Sequence, residues 1–229
     1  MEKLELARTG KDEFLSFLEK EGIRFDLLIE GAIETAEEVH AGLKREDGSS
    51  LFLESHTWPV AMEVVRHYKS VNRSITGVEV ASAILHDVME DDERILDMYE
   101  SKSYGFDAYL AYRFGSRVWK IATDLKIKPL DNCPGSTEAE RKLRRFQEYC
   151  DMLLKADYDV KVIKLADRLN NMVFIKRVPG HNKIRRYLRE AEDFYLAYAI
   201  LPPKMPDFYY KIRQAYEDLQ SMIYDNTTQ

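Results

Sequence analysis

Apolar and polar positions alternate along this chain with the period of a helix. From Leu28 to Leu43, apolar or small side chains recur at Leu28, Ala32, Ile33, Ala36, Val39 and Leu43, which is one helix face. Thr57-Trp58-Pro59 reads as the next helix start, with Thr57 as the cap and Pro59 tolerated in the first turn. Thr76 and Glu79 make a capping-box pattern ahead of Val80, Ala83, Ile84 and Val88. Thr137 and Glu140 repeat it ahead of Phe146, Tyr149, Leu153 and Leu154. Further helices are expected over 160–174, 184–199 and 207–224. No stretch keeps the alternation of a half-buried strand. The run at 160–163 is ambiguous, but its continuation through Leu165, Leu169 and Met172 favours helix. Two polar loops, 45–55 with Gly48 and 126–136 with Pro129, Pro134 and Gly135, separate these segments. Neither resembles a flexible linker, and no internal repeat is visible. Residues 1–229 therefore read as a single compact, all-α, multi-helix domain, with its core over about 26–200 and a C-terminal helix over 207–224.

Composition narrows the function. With 45% hydrophobic and 32% charged residues, a chain of 229 residues can bury a core beneath a well-solvated surface. The formal net charge is −6, which argues against a partner that binds by displacing counterions from a nucleic acid. A small phosphorylated ligand needs only a local group of Lys and Arg. No apolar run approaches the roughly 20 residues a membrane span requires, so no membrane partner is expected. The N-terminal sequence shows no signal-peptide pattern, so Cys133 and Cys150 are expected as reduced thiols in a cytoplasmic protein.

Candidate chemistry centres on His86-Asp87, which follows the apolar Ile84-Leu85 and precedes Glu90-Asp91. At helical spacing His86 shares a face with Glu90, and Asp87 shares one with Asp91. Repulsion among three carboxylates in one turn costs stability, and a divalent cation would offset it. On its own, a His-Asp dipeptide more often means a satisfied histidine beside a solvated charge run. Asp167 changes the balance, because Ile163, Leu165, Ala166 and Leu169 surround it. A carboxylate in such a setting needs a partner or a metal, and the adjacent Arg168 does not face it. His56, at the end of a polar loop, offers a second imidazole. A set of His56, His86, Asp87 and Asp167 suits manganese or iron better than zinc, and magnesium least. Glu90 or Asp91 would then position a water or move protons.

In order along the chain, these segments resemble the HD-domain superfamily, and within it the hydrolase domain of the RelA/SpoT alarmone family. The resemblance runs from about Gly31 to Ala199. It is carried by Ala36 to Arg45 (with His40 and Gly42), by His56, and by Leu85-His86-Asp87-Val88-Met89-Glu90-Asp91. Phe114-Gly115 through Val118, Thr123 to Lys126, and the run Ile163 to Met172 (IKLADRLNNM) complete it. The resemblance implies an α-helical HD fold and a manganese ion, with iron or zinc as the other candidate metals. It implies removal of the 3′-pyrophosphate from guanosine tetra- or pentaphosphate. Its metal ligands match His56, His86, Asp87 and Asp167, and its water-handling pair matches Glu90 and Asp91. Residues matching Arg45, Lys164, Arg168 and Asn171 surround the nucleotide in related enzymes. No residues are left for a synthetase domain, so the expectation is a stand-alone hydrolase.

The chain also departs from the family pattern. Glu46-Asp47 stands where Lys-Ser is usual, Thr57 where proline is usual, Leu43 for a common glutamine, and Asn170 for a common histidine. The metal ligands are untouched, so the departures bear on substrate. They keep open an HD phosphatase acting on a nucleoside monophosphate or a 2′-phosphorylated dinucleotide such as NADPH. A catalytically silent nucleotide-binding module is the reading from a different class. His40 is left outside the metal set, and His67 and His181 carry no functional signal. A homo-oligomer built on the tyrosine-rich last helix has no motif behind it.

Overall fold

The structure is a computed structural model, and it describes residues 8–90, 105–178, 180 and 182–225. Among these the regular structure is helical, and the only strand-like pairing is an isolated bridge between Lys44 and Leu51. The expected all-α class is the observed one. Helix α1 spans Lys11–Lys20, α2 Leu27–His40, α3 Trp58–Ser70 and α4 Gly77–Ile84. They are followed by α5 (Phe106–Leu125), α6 (Glu138–Leu153) and α7 (Tyr158–Phe174). Helix α8 (Asn182–Glu190) passes through a wide π turn, Ala191–Tyr195, into the short α9 (Leu196–Ile200), and α10 covers Pro206–Asp225.

Local chemistry sets these boundaries. Asp26 caps α2 by accepting from the backbone N–H groups of Leu28 and Ile29 at 3.1 and 3.0 Å. Both expected capping boxes are present, Thr76 with Glu79 before α4 and Thr137 with Glu140 before α6. Thr57 does not act as a cap. Residues Leu53–Thr57 form a π turn that runs straight into α3, and the Trp58 N–H is already satisfied by the Leu53 carbonyl. Helix α5 breaks at Gly115, whose φ of 81° lies where residues with a Cβ are strained.

The core is organised around α7, buried from Asp159 to Asn170 and again from Met172 to Phe174. It packs between α3 and α10, while α2 lies on α4 and α1 stacks Phe14 on Trp58 at 5.1 Å. A helix buried on all sides must satisfy its polar side chains internally. At one end, His67 meets Asp207 and the Tyr158 hydroxyl, each at 2.7 Å, and so ties α3, α10 and α7 together. At the other end the polar side chains of α7 converge on a cavity. No helix among the described residues is long and apolar enough to cross a membrane, and Cys133 and Cys150 are both free.

One position tests this packing. A Cβ on Gly77 would come within 2.5 Å of the Asp26 carboxylate that caps α2. Gly77→Ala should therefore expel the cap and cost about 1–2 kcal/mol, measured as a lower midpoint in urea. Unchanged stability would show that the α2–α4 junction is looser than described.

Candidate active site

The carbonyl of Ala83 shapes the turn that carries His86 and Asp87. Helix α4 stops at Ile84, so His86 and Asp87 do not lie in a helix as the sequence pattern suggested. Residues 85–90 instead fold as tight turns, with Val88 N–H bonded to Leu85 O at 3.2 Å and Glu90 N–H to Asp87 O at 3.0 Å. The His86 ring is the reason: its Nδ1 donates to Ala83 O at 2.7 Å, taking the carbonyl that a continuing helix would use. The shared-face geometry is replaced by a turn that directs Asp87 and Glu90 into the cavity.

His56, on the π turn before α3, completes a tight group. His56 Nε2 lies 3.1 Å from His86 Nε2 and 2.8 Å from Asp87 Oδ2, and His86 Nε2 lies 3.2 Å from that same oxygen. One ligand atom from each of the three falls within 4.8 Å of the others. A carbonyl only accepts, so His86 Nδ1 carries the hydrogen and its Nε2 offers a lone pair to the group. Ring nitrogens and an anionic oxygen at such distances need a proton or a cation between them. Two imidazoles and a carboxylate converging in this way fit a divalent metal.

Without a metal, a proton serves. Burial resists charge on His86, but the Asp87 carboxylate and then Asp167 overcome it and raise His86 to about 9. Burial would raise Asp87, yet the charge of His86 beside it holds it well below the carboxylate range. Burial keeps the His56 ring below its ordinary value.

Asp167 stands at the edge of the group, its Oδ1 3.5 Å from His56 Nε2. It is already engaged: Lys164 Nζ reaches Oδ2 at 2.7 Å, and Asn171 Nδ2 donates to Oδ1 at 2.5 Å. The fourth candidate ligand is thus adjacent to the other three but not grouped with them. Glu90 lines the same cavity at its solvent-exposed mouth, its Oε1 accepting from Ile127 N–H at 3.3 Å. Desolvation by the cavity wall first, and the Asp87 charge second, push its carboxyl up to about 7. Asp91 and His181 lie outside the described residues.

The cavity has a volume of about 410 Å³. Arg45, Lys164, Arg168 and Asn171 all line it, but each has partners in the protein. Arg45 bonds to Asn170 and Asn171. Arg168 pairs with Glu190 at 2.7 Å and lies over the Tyr195 ring at 4.1 Å. Further charges come from residues the sequence reading passed over, namely Arg145 on α6, Lys142 on α6, which pairs with Glu138 at 2.5 Å, and Arg186 on α8, 3.7 Å from Glu190. Arg145 has no hydrogen bond or ion pair among the described residues. Their signal in the sequence was faint, because basic residues on the polar face of an amphipathic helix resemble an ordinary surface.

Glu46-Asp47, the departure that bears on substrate, is engaged within the protein. Glu46 pairs with Lys183 of α8. Asp47 accepts from the N–H groups of Ser49 and Ser50 at 2.9 and 2.8 Å and from the Ser50 hydroxyl at 2.5 Å, closing its own loop.

This fold and this group of ligands define an HD-type protein, and comparison with known proteins agrees: residues 32–199 match the HD domain model. The chain belongs to the HD domain family. Its relatives are of the RelA/SpoT type. The chain is 30% identical over 198 residues to a GTP pyrophosphokinase of Streptomyces antibioticus, and 29% to one of Streptomyces coelicolor. Each alignment covers 78% of this chain and 20% of the relative. A chloroplastic protein of Oryza sativa subsp. japonica, provisionally named a GTP diphosphokinase, is 25% identical over 169 residues, or 74% of this chain and 17% of its own length. The chain thus spans about a fifth of the length of these relatives.

Proposed function

We propose that the protein removes the 3′-pyrophosphate of guanosine tetra- or pentaphosphate, using one divalent cation held by His56, His86, Asp87 and Asp167, with manganese the best match to that donor set. The observation that carries this reading is the polarity of the cavity. One end gathers the imidazoles and carboxylates suited to a metal, and its walls carry Lys142, Arg145 and Arg186. A substrate with phosphates at two separated positions matches both regions. A nucleoside monophosphate would leave the walls unmatched. The bound cation would act as a Lewis acid at phosphorus and acidify a water. Glu90, whose carboxyl is raised to about 7, would take the proton of that water. Lys164 is buried, and burial resists its charge, but Asp167 and neighbouring groups hold its pKa well above the ordinary value. It therefore keeps a fixed positive charge beside the reacting group. Residues 1–229 act as one domain in this reading, in a cytoplasmic or organellar aqueous compartment.

The test is product analysis with manganese and a nucleotide panel. Guanosine tetraphosphate should give GDP and pyrophosphate in equal amounts. Orthophosphate release from a nucleoside monophosphate or from NADPH, with guanosine tetraphosphate left intact, would replace this reading with the phosphatase one. Tight binding without turnover would point to the silent module. Arg145→Ala should raise KM about tenfold with kcat little changed, the loss of one charge-assisted contact to phosphate. An unchanged KM would remove the α6 wall from substrate binding.

A further inference from the structure

We propose that Arg45 is a positioning residue whose forked guanidinium sets the amides of Asn170 and Asn171, and through them the ring tautomer of His56 and the orientation of Asp167. The proposal rests on His56 and Asp167 serving the metal, as in the proposed function. Its logic comes from donor and acceptor inventory alone. A guanidinium has five donors and no acceptor, so an amide atom bonded to it must be the oxygen. Arg45 Nη1 donates to Asn170 Oδ1 at 2.8 Å, and Nη2 donates to Asn171 Oδ1 at 2.6 Å. Reversing either amide would set N–H against N–H in a buried site.

Each amide then passes the constraint on. His56 Nδ1 lies 2.8 Å from Asn170 Oδ1, now fixed as an acceptor, so Nδ1 must carry the hydrogen. His56 Nε2 is left with its lone pair directed at His86 and Asp87. The amide's other end is satisfied as well, Asn170 Nδ2 donating to Ser55 O at 3.2 Å. On the second branch, Asn171 Nδ2 donates to Asp167 Oδ1 at 2.5 Å and orients that carboxylate. One fork thereby fixes two of the four candidate ligands.

Arg45 is built for this task. Its guanidinium carbon sits over the Phe174 ring, 3.6 Å from the centroid. Nη1 has two hydrogens and uses both, one on Asn170 and one on Ser55 O at 3.1 Å. The residue is only 9% exposed. Lysine offers a point charge without a fork, and could hold only one of the two amides in register.

The experiment reads the His56 ring in the metal-free protein by long-range proton–nitrogen NMR, with His56→Ala to assign it, alongside Mn²⁺ affinity by calorimetry. The wild type should show His56 protonated at Nδ1. In Arg45→Met and Asn170→Leu the ring should shift to a mixture of tautomers, and Mn²⁺ affinity should fall about 10–100-fold with the helical circular dichroism kept. Asn170→Asp retains an acceptor for both His56 and Arg45, so it should keep the Nδ1–H form. If Arg45→Met leaves ring and affinity unchanged and raises only the substrate KM, Arg45 is a substrate contact and the proposal is overturned. Should wild-type protein show the Nδ1–H ring yet bind no Mn²⁺, the metal reading fails while the relay stands. If Asn170→Leu does not fold, Arg45→Met and Asn170→Asp still carry the test.

Discussion

His86→Ala should lose divalent-cation binding and hydrolysis together while keeping its helical fold. The ring contributes one lone pair to a group of three, and alanine leaves only His56 and Asp87 close to each other. A loss of more than about 100-fold in metal affinity is expected, with turnover falling to background. The change costs the metal-free protein the hydrogen bond to Ala83 O and the ion pair with Asp87, but both lie in the turn after α4 and leave the helices in place. A second signature separates this from general damage. In the metal-free protein His86 is raised to about 9, above its ordinary value of 6.5. A group raised on folding adds stability that is complete below its unfolded pKa and is lost as pH rises through the folded one. Metal-free wild type should therefore lose stability between about pH 7 and 9, and His86→Ala should be flat there. The same proton competes with the cation, so wild-type affinity should tighten over that range. Calorimetry and denaturant titrations at several pH values check all three. Retained metal binding in His86→Ala would remove this residue from the site.

How far the sequence disclosed this site follows from the physics of each signal. Helices α2, α4, α6 and α7 were legible because burial on one face imposes a period, and because a capping box is a local chemical pattern. Helices α1 and α5 were not singled out. Gly115 breaks the period of α5 midway, and α1 is a short helix with Phe14 and Leu18 as its buried residues. The ligands were legible for a different reason. A His-Asp pair and a buried Asp167 are costly without a counter-charge, so their presence in apolar surroundings calls for one. Their geometry was not legible. Nothing in Leu85-His86-Asp87 announces that the imidazole takes the Ala83 carbonyl and ends the helix, since this depends on a side-chain rotamer. The contacts of Glu46-Asp47 were not legible either. As letters they are two anions facing a nucleotide, and as structure one is paired and the other closes its own turn.

Glu90→Gln is the other change with a large expected effect, and it acts on chemistry alone. Glutamine keeps the shape of the side chain and an oxygen to accept the Ile127 N–H, so the turn after α4 and the cavity wall should stay in place. Glu90 does not belong to the tight group of ligand atoms, so metal affinity should remain within about threefold of wild type. What disappears is a carboxyl that can exchange a proton near neutral pH. Local desolvation and the Asp87 charge put it at about 7 in the metal-free site, and a bound cation would pull it lower. The acid limb of the wild-type activity profile should thus fall somewhat below pH 7. In Glu90→Gln that limb should vanish and kcat should drop by about 10²–10⁴-fold, the usual contribution of a positioned proton acceptor. Lys164 sits beside Asp167 in the same cavity and titrates far above this range, so it cannot supply the limb in place of Glu90. Full activity in Glu90→Gln with an unaltered profile would move proton transfer to another group, and Asp91 is the sequence candidate left to take it.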